Sequence, residues 1–127
     1  MKITLIIPPS PFLLDERVFP SLGILKIASV LKEKYIPEVL DLSGIKNYLD
    51  VLKVYLKQTE SKIYCITSTT PQLPHAVKIK NVIKEQSSSN KVILGGPHVT
   101  LVYSAYKNNL NNRSTKNKKH LNITLIV

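Results

Sequence analysis

Residues 92–100, VILGGPHVT, decide how the chain is built. Val92, Ile93 and Leu94 are apolar and largely β-branched, and the run stops at two glycines, a proline and a histidine. A strand that ends this abruptly presents bare backbone, because Gly95 and Gly96 carry no side chain and Pro97 cannot donate to a ladder. Two earlier stretches end in a similar way. Lys2 to Ile7 is a nearly continuous apolar run closed by Pro8-Pro9-Ser10-Pro11, the pattern of a strand buried on both faces and then forced out of its sheet. Lys62 to Thr67 reads as a strand broken by Thr69-Thr70-Pro71-Gln72.

Helical spacing fills the gaps between these strands. Ser21 follows Pro20 and caps a helix in which Leu22, Leu25, Ala28, Val30 and Leu31 recur, ending at Lys32-Glu33-Lys34. Glu38 to Leu42 is a short strand reached through Pro37 and closed by Ser43-Gly44. From Asn47, the residues Tyr48, Leu49, Leu52, Tyr55 and Leu56 share one helical face, and Ala76, Ile79, Val82 and Ile83 share another behind Pro74. Ser87 to Asn90 is a turn, and Lys91 to Leu94 is the fourth strand. Strands separated by helices pair in parallel, since a parallel crossover needs a dozen or more residues. The expected fold is therefore an α/β, doubly wound parallel sheet in three layers, α/β/α.

Beyond Thr100 the pattern weakens. Leu101 to Leu110 has helical character, and the Asn/Lys-rich tract from Asn108 to His120 has nothing to bury. Leu121 to Val127 reads either as a fifth, edge strand or as an unpaired end. The chain divides into an α/β domain over residues 1–106 and a basic tail over 107–127. The last helix of a complete five-strand unit is absent, so the chain reads as cut short.

At 127 residues the chain has the length of one domain, and its 43% hydrophobic and 20% charged content is that of a folding protein. The formal net charge is +10, and six basic residues follow Glu85, the last acidic one. Such a balance attracts phosphate in any form. A lone cysteine, Cys65, excludes an internal disulfide and a cluster ligated by several cysteines of this chain. The apolar opening MKITLII is stopped by Pro8 and Pro9, and no stretch reaches the roughly 18 apolar residues of a membrane span. A cytoplasmic location without membrane contact is expected.

Open α/β sheets bind ligands outside the carboxyl ends of their strands. Here those ends offer Pro8 to Pro11, rigid and poor in amide donors; Thr67 to Thr70, four hydroxyls in a row; and Gly95 to His98, free of bulk. A dinucleotide site would want Gly-x-Gly-x-x-Gly after the first strand and a P-loop would want Gly-Lys-Ser/Thr; neither is present. A flat-sided ligand with polar groups suits these ends better than a small charged substrate.

The succession IIPPSPFLLDERVFPSLGILKIASVLKEK, PEVLDLSG, ITSTTPQLPHAVKIKNVIK and VILGGPHVT resembles the N-terminal cobalamin-binding domain of cobalamin-dependent radical S-adenosylmethionine enzymes, over about residues 1–106. The resemblance implies a flavodoxin-like (Rossmann-like) sheet with the corrin above the strand ends and the nucleotide tail of the cofactor in a groove beside the sheet. Carried over by position, Ser68, Thr69, Thr70 and Gln72 line the tail, and Gly95, Gly96, Pro97, His98 and Thr100 let it pass; Ser10 and Gly23 are further carry-overs. Two glycines would leave room for an aromatic base against the backbone.

Departures from related proteins matter as much. Corrinoid mutases carry Asp-x-His-x-x-Gly after the first strand, whereas Asp15-Glu16-Arg17-Val18-Phe19 supplies no histidine, so the implied cofactor has no lower axial histidine. The three-cysteine motif of the radical domain is missing, so the chain holds no iron-sulfur cluster; a separate radical S-adenosylmethionine domain or chain is the implied partner of a module that is not catalytic alone. Plainer accounts apply to several residues. The threonines suit a strand and a helix cap, His98 is either a turn residue or a lining of the groove, His75 reads as solvent-facing, and Cys65 as a small buried hydrophobe. Two other readings stay open: a nucleic-acid- or phosphate-binding α/β domain using the basic tail, disfavoured because no aromatic residue is interleaved there, and a non-functional truncated fragment.

Overall fold

The computed structural model describes residues 1–13, 21–110 and 124–125. Its elements follow the alternation read from the sequence: β1 (Lys2–Ile7), α1 (Leu22–Leu31), β2 (Ile36–Asp41), α2 (Tyr48–Gln58), β3 (Ile63–Thr67), a single 3-10 turn (Thr70–Gln72), α3 (Leu73–Gln86), β4 (Lys91–Gly95), α4 (Pro97–Leu110) and β5 (Thr124–Leu125). Every pairing is parallel, and the sheet order is β2-β1-β3-β4-β5. This is the flavodoxin-like order, with helices on both faces.

Burial explains the layering. Tyr48, Leu52 and Leu56 recur every fourth residue of α2, and Ala76, Ile79 and Ile83 every third or fourth of α3, so each helix has one apolar stripe. Both stripes pack on Ile6, Tyr64, Ile66, Val92 and Leu94, with Leu42 and Val99 completing that core. The opposite face carries a smaller cluster of Ile3 and Leu5 from β1 and Ile24 from α1. β1 is buried from Ile3 to Ile6, as its nearly continuous apolar run predicts.

Two differences from the sequence reading have local causes. β2 begins at Ile36 and contains Pro37. The Ile36 amide donates to the Met1 carbonyl (3.1 Å) and the Leu42 amide to the Ile7 carbonyl (3.0 Å), so even-numbered residues of β2 turn their amides toward β1. Pro37 therefore falls at an outward position of an edge strand, where a missing N–H removes no ladder bond. The fourth helix starts at Pro97 instead of Leu101, because proline suits the first helical turn. Pro97, His98 and Thr100 thus belong to a helix start, not to an extended loop.

The foot of the sheet, at the amino ends of the strands, is closed by polar contacts. The fully buried Thr4 hydroxyl bonds Tyr55 (2.8 Å) and Ser61 (2.8 Å), and the Tyr55 hydroxyl donates to Glu38 (2.6 Å). Glu38 also pairs with Lys2 at 3.1 Å. A groove of about 550 Å³ lies at this end between α1 and β2, lined by residues including Leu25, Ala28, Lys32 and Pro37.

Candidate functional site

From β1 the chain crosses to β2 on one side and then to β3 on the other, so the strand order reverses between β1 and β3. The segments after β1, β3 and β4 therefore share one rim, and the structure brings most of the sequence-read residues to it. Gln72 ties the first two together. Its amide nitrogen donates to the Pro8 carbonyl (3.0 Å) and the Ser10 hydroxyl (2.7 Å), while its amide oxygen accepts from the Thr69 amide (3.0 Å) and the Thr69 hydroxyl (3.0 Å). Both donors and both lone pairs of a buried amide are thereby used. The same contacts make Thr69-x-x-Gln72 a capping box for the 3-10 turn.

A second set of contacts ties β3 to β4. The Ser68 amide donates to the Gly95 carbonyl (3.0 Å), the His98 amide donates to the Ser68 carbonyl (3.1 Å), and the Thr70 hydroxyl lies 2.9 Å from His98 Nδ1. Gly96 sits at φ 98° where the segments cross, and a Cβ there would lie 2.7 Å from the Ser68 amide nitrogen and 2.8 Å from Thr67 Oγ1. The space that Gly96 leaves is thus filled by this chain's own β3 segment, and its glycine is required by backbone conformation and close approach. The account of Gly96 as room for an aromatic base is corrected accordingly.

The residues divide by exposure. Ser10, Ser68 and Gln72 are buried, and the Ser68 hydroxyl is committed to the Thr69 carbonyl (2.8 Å); they brace the rim. Thr69, Thr70, Pro97 and Thr100 are exposed, with Gly95, Gly96 and His98 half-buried. The Thr100 hydroxyl donates back to the Gly96 carbonyl at 3.2 Å. Gly23 lies on exposed α1 with nothing within 4 Å of the position a Cβ would take, apart from the braced set. The Asp15 to Phe19 segment, which holds no histidine, lies outside the described residues, as does most of the basic tail.

Three features at or behind the rim were not read from the sequence. The Pro8 carbonyl is a structural acceptor. Thr67 packs against Gly96. His75 is not solvent-facing: it is half-buried, its Nδ1 lies 2.9 Å from the Tyr48 hydroxyl, and the two rings meet edge to face. Burial raises the Tyr48 pKa. The Tyr48–His75 contact joins residues 27 apart and leaves no local signature, whereas the Thr69-x-x-Gln72 spacing is a local capping-box signal that the reading of Gln72 by resemblance did not use. Cys65 is half-buried on the α1 side of β3, and burial pushes its thiol pKa up.

Among the described residues no helix is long and apolar enough to cross a membrane. Comparison with known proteins adds relatives but no family model, since none matches the chain. The chain is 31% identical over 104 residues to an uncharacterised methyltransferase of Pyrococcus horikoshii, a match covering 79% of this chain and 22% of that protein. Its fold is similar to that of TsrM, a radical S-adenosylmethionine methyltransferase from Kitasatospora setae solved with tryptophan and an S-adenosylmethionine analogue; the TM-score is 0.63 at 17% identity over 75% of this chain and 19% of that one. The chain thus spans about a fifth of the length of either protein, is homologous to part of a methyltransferase, and shares the α/β fold of part of another.

Proposed function

We propose that this chain is a cobalamin-binding module serving a methyltransferase of the radical S-adenosylmethionine kind, and that it holds the cofactor without a lower axial histidine. The observation that carries the reading is the convergence of the segments after β1, β3 and β4 on one rim at the point where the strand order reverses. The homology to a methyltransferase and the fold shared with TsrM support it.

The donor set on this rim fits such a cofactor. The edge of a corrin carries carboxamides, and the exposed hydroxyls of Thr69 and Thr70 with the half-buried imidazole of His98 offer both donors and acceptors to amides. Pro97 and the half-buried Gly95 and Gly96 add smooth surface beside them. Ser10, Ser68 and Gln72 would act as positioning residues, since their polar groups are turned inward. When bound, cobalamin supplies a cobalt centre able to carry a methyl group; this chain's part is to bind and orient it.

Titration of the purified chain with hydroxocobalamin tests the proposal. A saturable change in the corrin absorption at micromolar protein is expected, and Thr70→Val should raise Kd about tenfold, roughly the 1.4 kcal/mol of one exposed hydrogen bond, with little change in Tm. Unchanged corrin bands across the titration would defeat it.

A further inference from the structure

A nucleotide tail offers a protein a flat aromatic base and a phosphate diester, and the rim residues that resemblance gave to the tail are committed to this chain instead. At Gly96 the position of a Cβ lies 2.7 Å from the Ser68 amide nitrogen, 2.8 Å from Thr67 Oγ1 and 2.9 Å from the Ser68 carbonyl oxygen, so the room for a base is filled. The buried Ser68 hydroxyl donates its proton to the Thr69 carbonyl at 2.8 Å and has none left for a base nitrogen. The buried Gln72 amide gives its donors to Pro8 and Ser10, and its oxygen accepts twice from Thr69.

The phosphate fares no better. An anion binds at a helix start through free backbone amides, or beside a charged donor. Here Pro71 opens the 3-10 turn and Pro74 the first turn of α3, and neither has an amide proton. The Gln72 amide between them donates to the Thr69 carbonyl (3.1 Å), and the Leu73 amide to the Thr70 carbonyl. α4 opens on Pro97, and its next amide, that of His98, donates to the Ser68 carbonyl (3.1 Å). Residues 8–13, 68–77 and 95–105, the described segments that follow β1, β3 and β4, hold no lysine or arginine. What these segments turn outward is neutral: the exposed hydroxyls of Thr69 and Thr70, with the half-buried His98 whose Nδ1 lies 2.9 Å from Thr70 Oγ1. Such groups exchange hydrogen bonds with carboxamides.

We propose, resting on the cofactor reading above, that the rim recognises the carboxamide edge of the corrin ring and not the lower nucleotide. Its ligand class is then corrinoids at large, whatever base they carry. Cobinamide, which has the ring and its amides but no phosphate, ribose or base, belongs to that class as fully as cobalamin does.

Parallel titrations of the full chain with hydroxocobalamin and with diaquocobinamide, followed in the corrin absorption bands, test this. The two Kd values are expected to agree within about threefold, and Thr70→Val is expected to raise both by the same factor. α-Ribazole phosphate, the free nucleotide, is expected to displace neither ligand at about 1 mM. Saturable binding of hydroxocobalamin with a Kd that differs more widely from that of cobinamide, displacement by α-ribazole phosphate, or a Thr70→Val effect confined to one ligand would each overturn this inference and leave the cofactor reading standing. Corrin bands unchanged by both ligands would overturn the two together.

Discussion

Replacing Gly96 with alanine would place two costs on one backbone position. The φ of 98° is strained for any residue with a Cβ, and the added methyl would meet the Ser68 backbone at 2.7 Å. A loss of about 2–4 kcal/mol is expected, read as a lower urea midpoint at unchanged m-value. Gln72→Leu acts differently. It keeps the bulk but strands the Thr69 amide and the Pro8 carbonyl, both partners of a buried amide, at a cost of about 2–3 kcal/mol. Because the lost contacts hold the β1 and β3 ends together, this substitution should also raise Kd for hydroxocobalamin more than Thr70→Val does. Titration of both variants side by side checks the order.

At the scale of elements, the foot of β2 should show in acid. Hydrogen bonds from Tyr55 and then Lys2 hold the Glu38 carboxyl below the usual carboxylate range. A carboxylate depressed on folding contributes stability that is fully present above its unfolded pKa and is lost as pH falls through the folded one. Tm should therefore hold from pH 7 to about 5 and decline below 4.5. Tyr55→Phe, which removes the 2.6 Å hydrogen bond, should cost about 1 kcal/mol at neutral pH and flatten that acid limb. Thermal melts of both proteins across this range decide the matter.

Elements were also the part of the structure most readable in the sequence, and the reasons are local. Short, mostly apolar runs marked β1, β3 and β4, and spacings of three and four marked α2 and α3. The start of α4 was misplaced because Pro97 was read as a break, although the rule that admits Pro74 to a first helical turn applies equally to it. The rim proposed as a site was legible in which residues reach it more than in how they meet. Ser10 and Gln72 stood out as residues, yet the bonds from Gln72 to Pro8 and Ser10 cross more than 60 residues of chain and depend on the sheet order. No periodicity encodes that. Nor did the glycine pair reveal that Gly96 faces the chain's own backbone.

For the molecule as a whole, the sheet has two unlike borders. β5 pairs with β4 at Ile93 and Leu94. Ending the chain after Leu110 would remove that pairing and expose the ladder of β4, so a concentration-dependent rise in sedimentation coefficient is expected for the shortened protein and not for the full one. The β2 border behaves otherwise, because Pro37 occupies one of its outward positions. An incoming strand would find a gap in the row of donors at Pro37. Recruitment of further chains into a continuous ribbon is thereby steered away from β2, so a fibre nucleated by this protein would have to lengthen from its opposite margin.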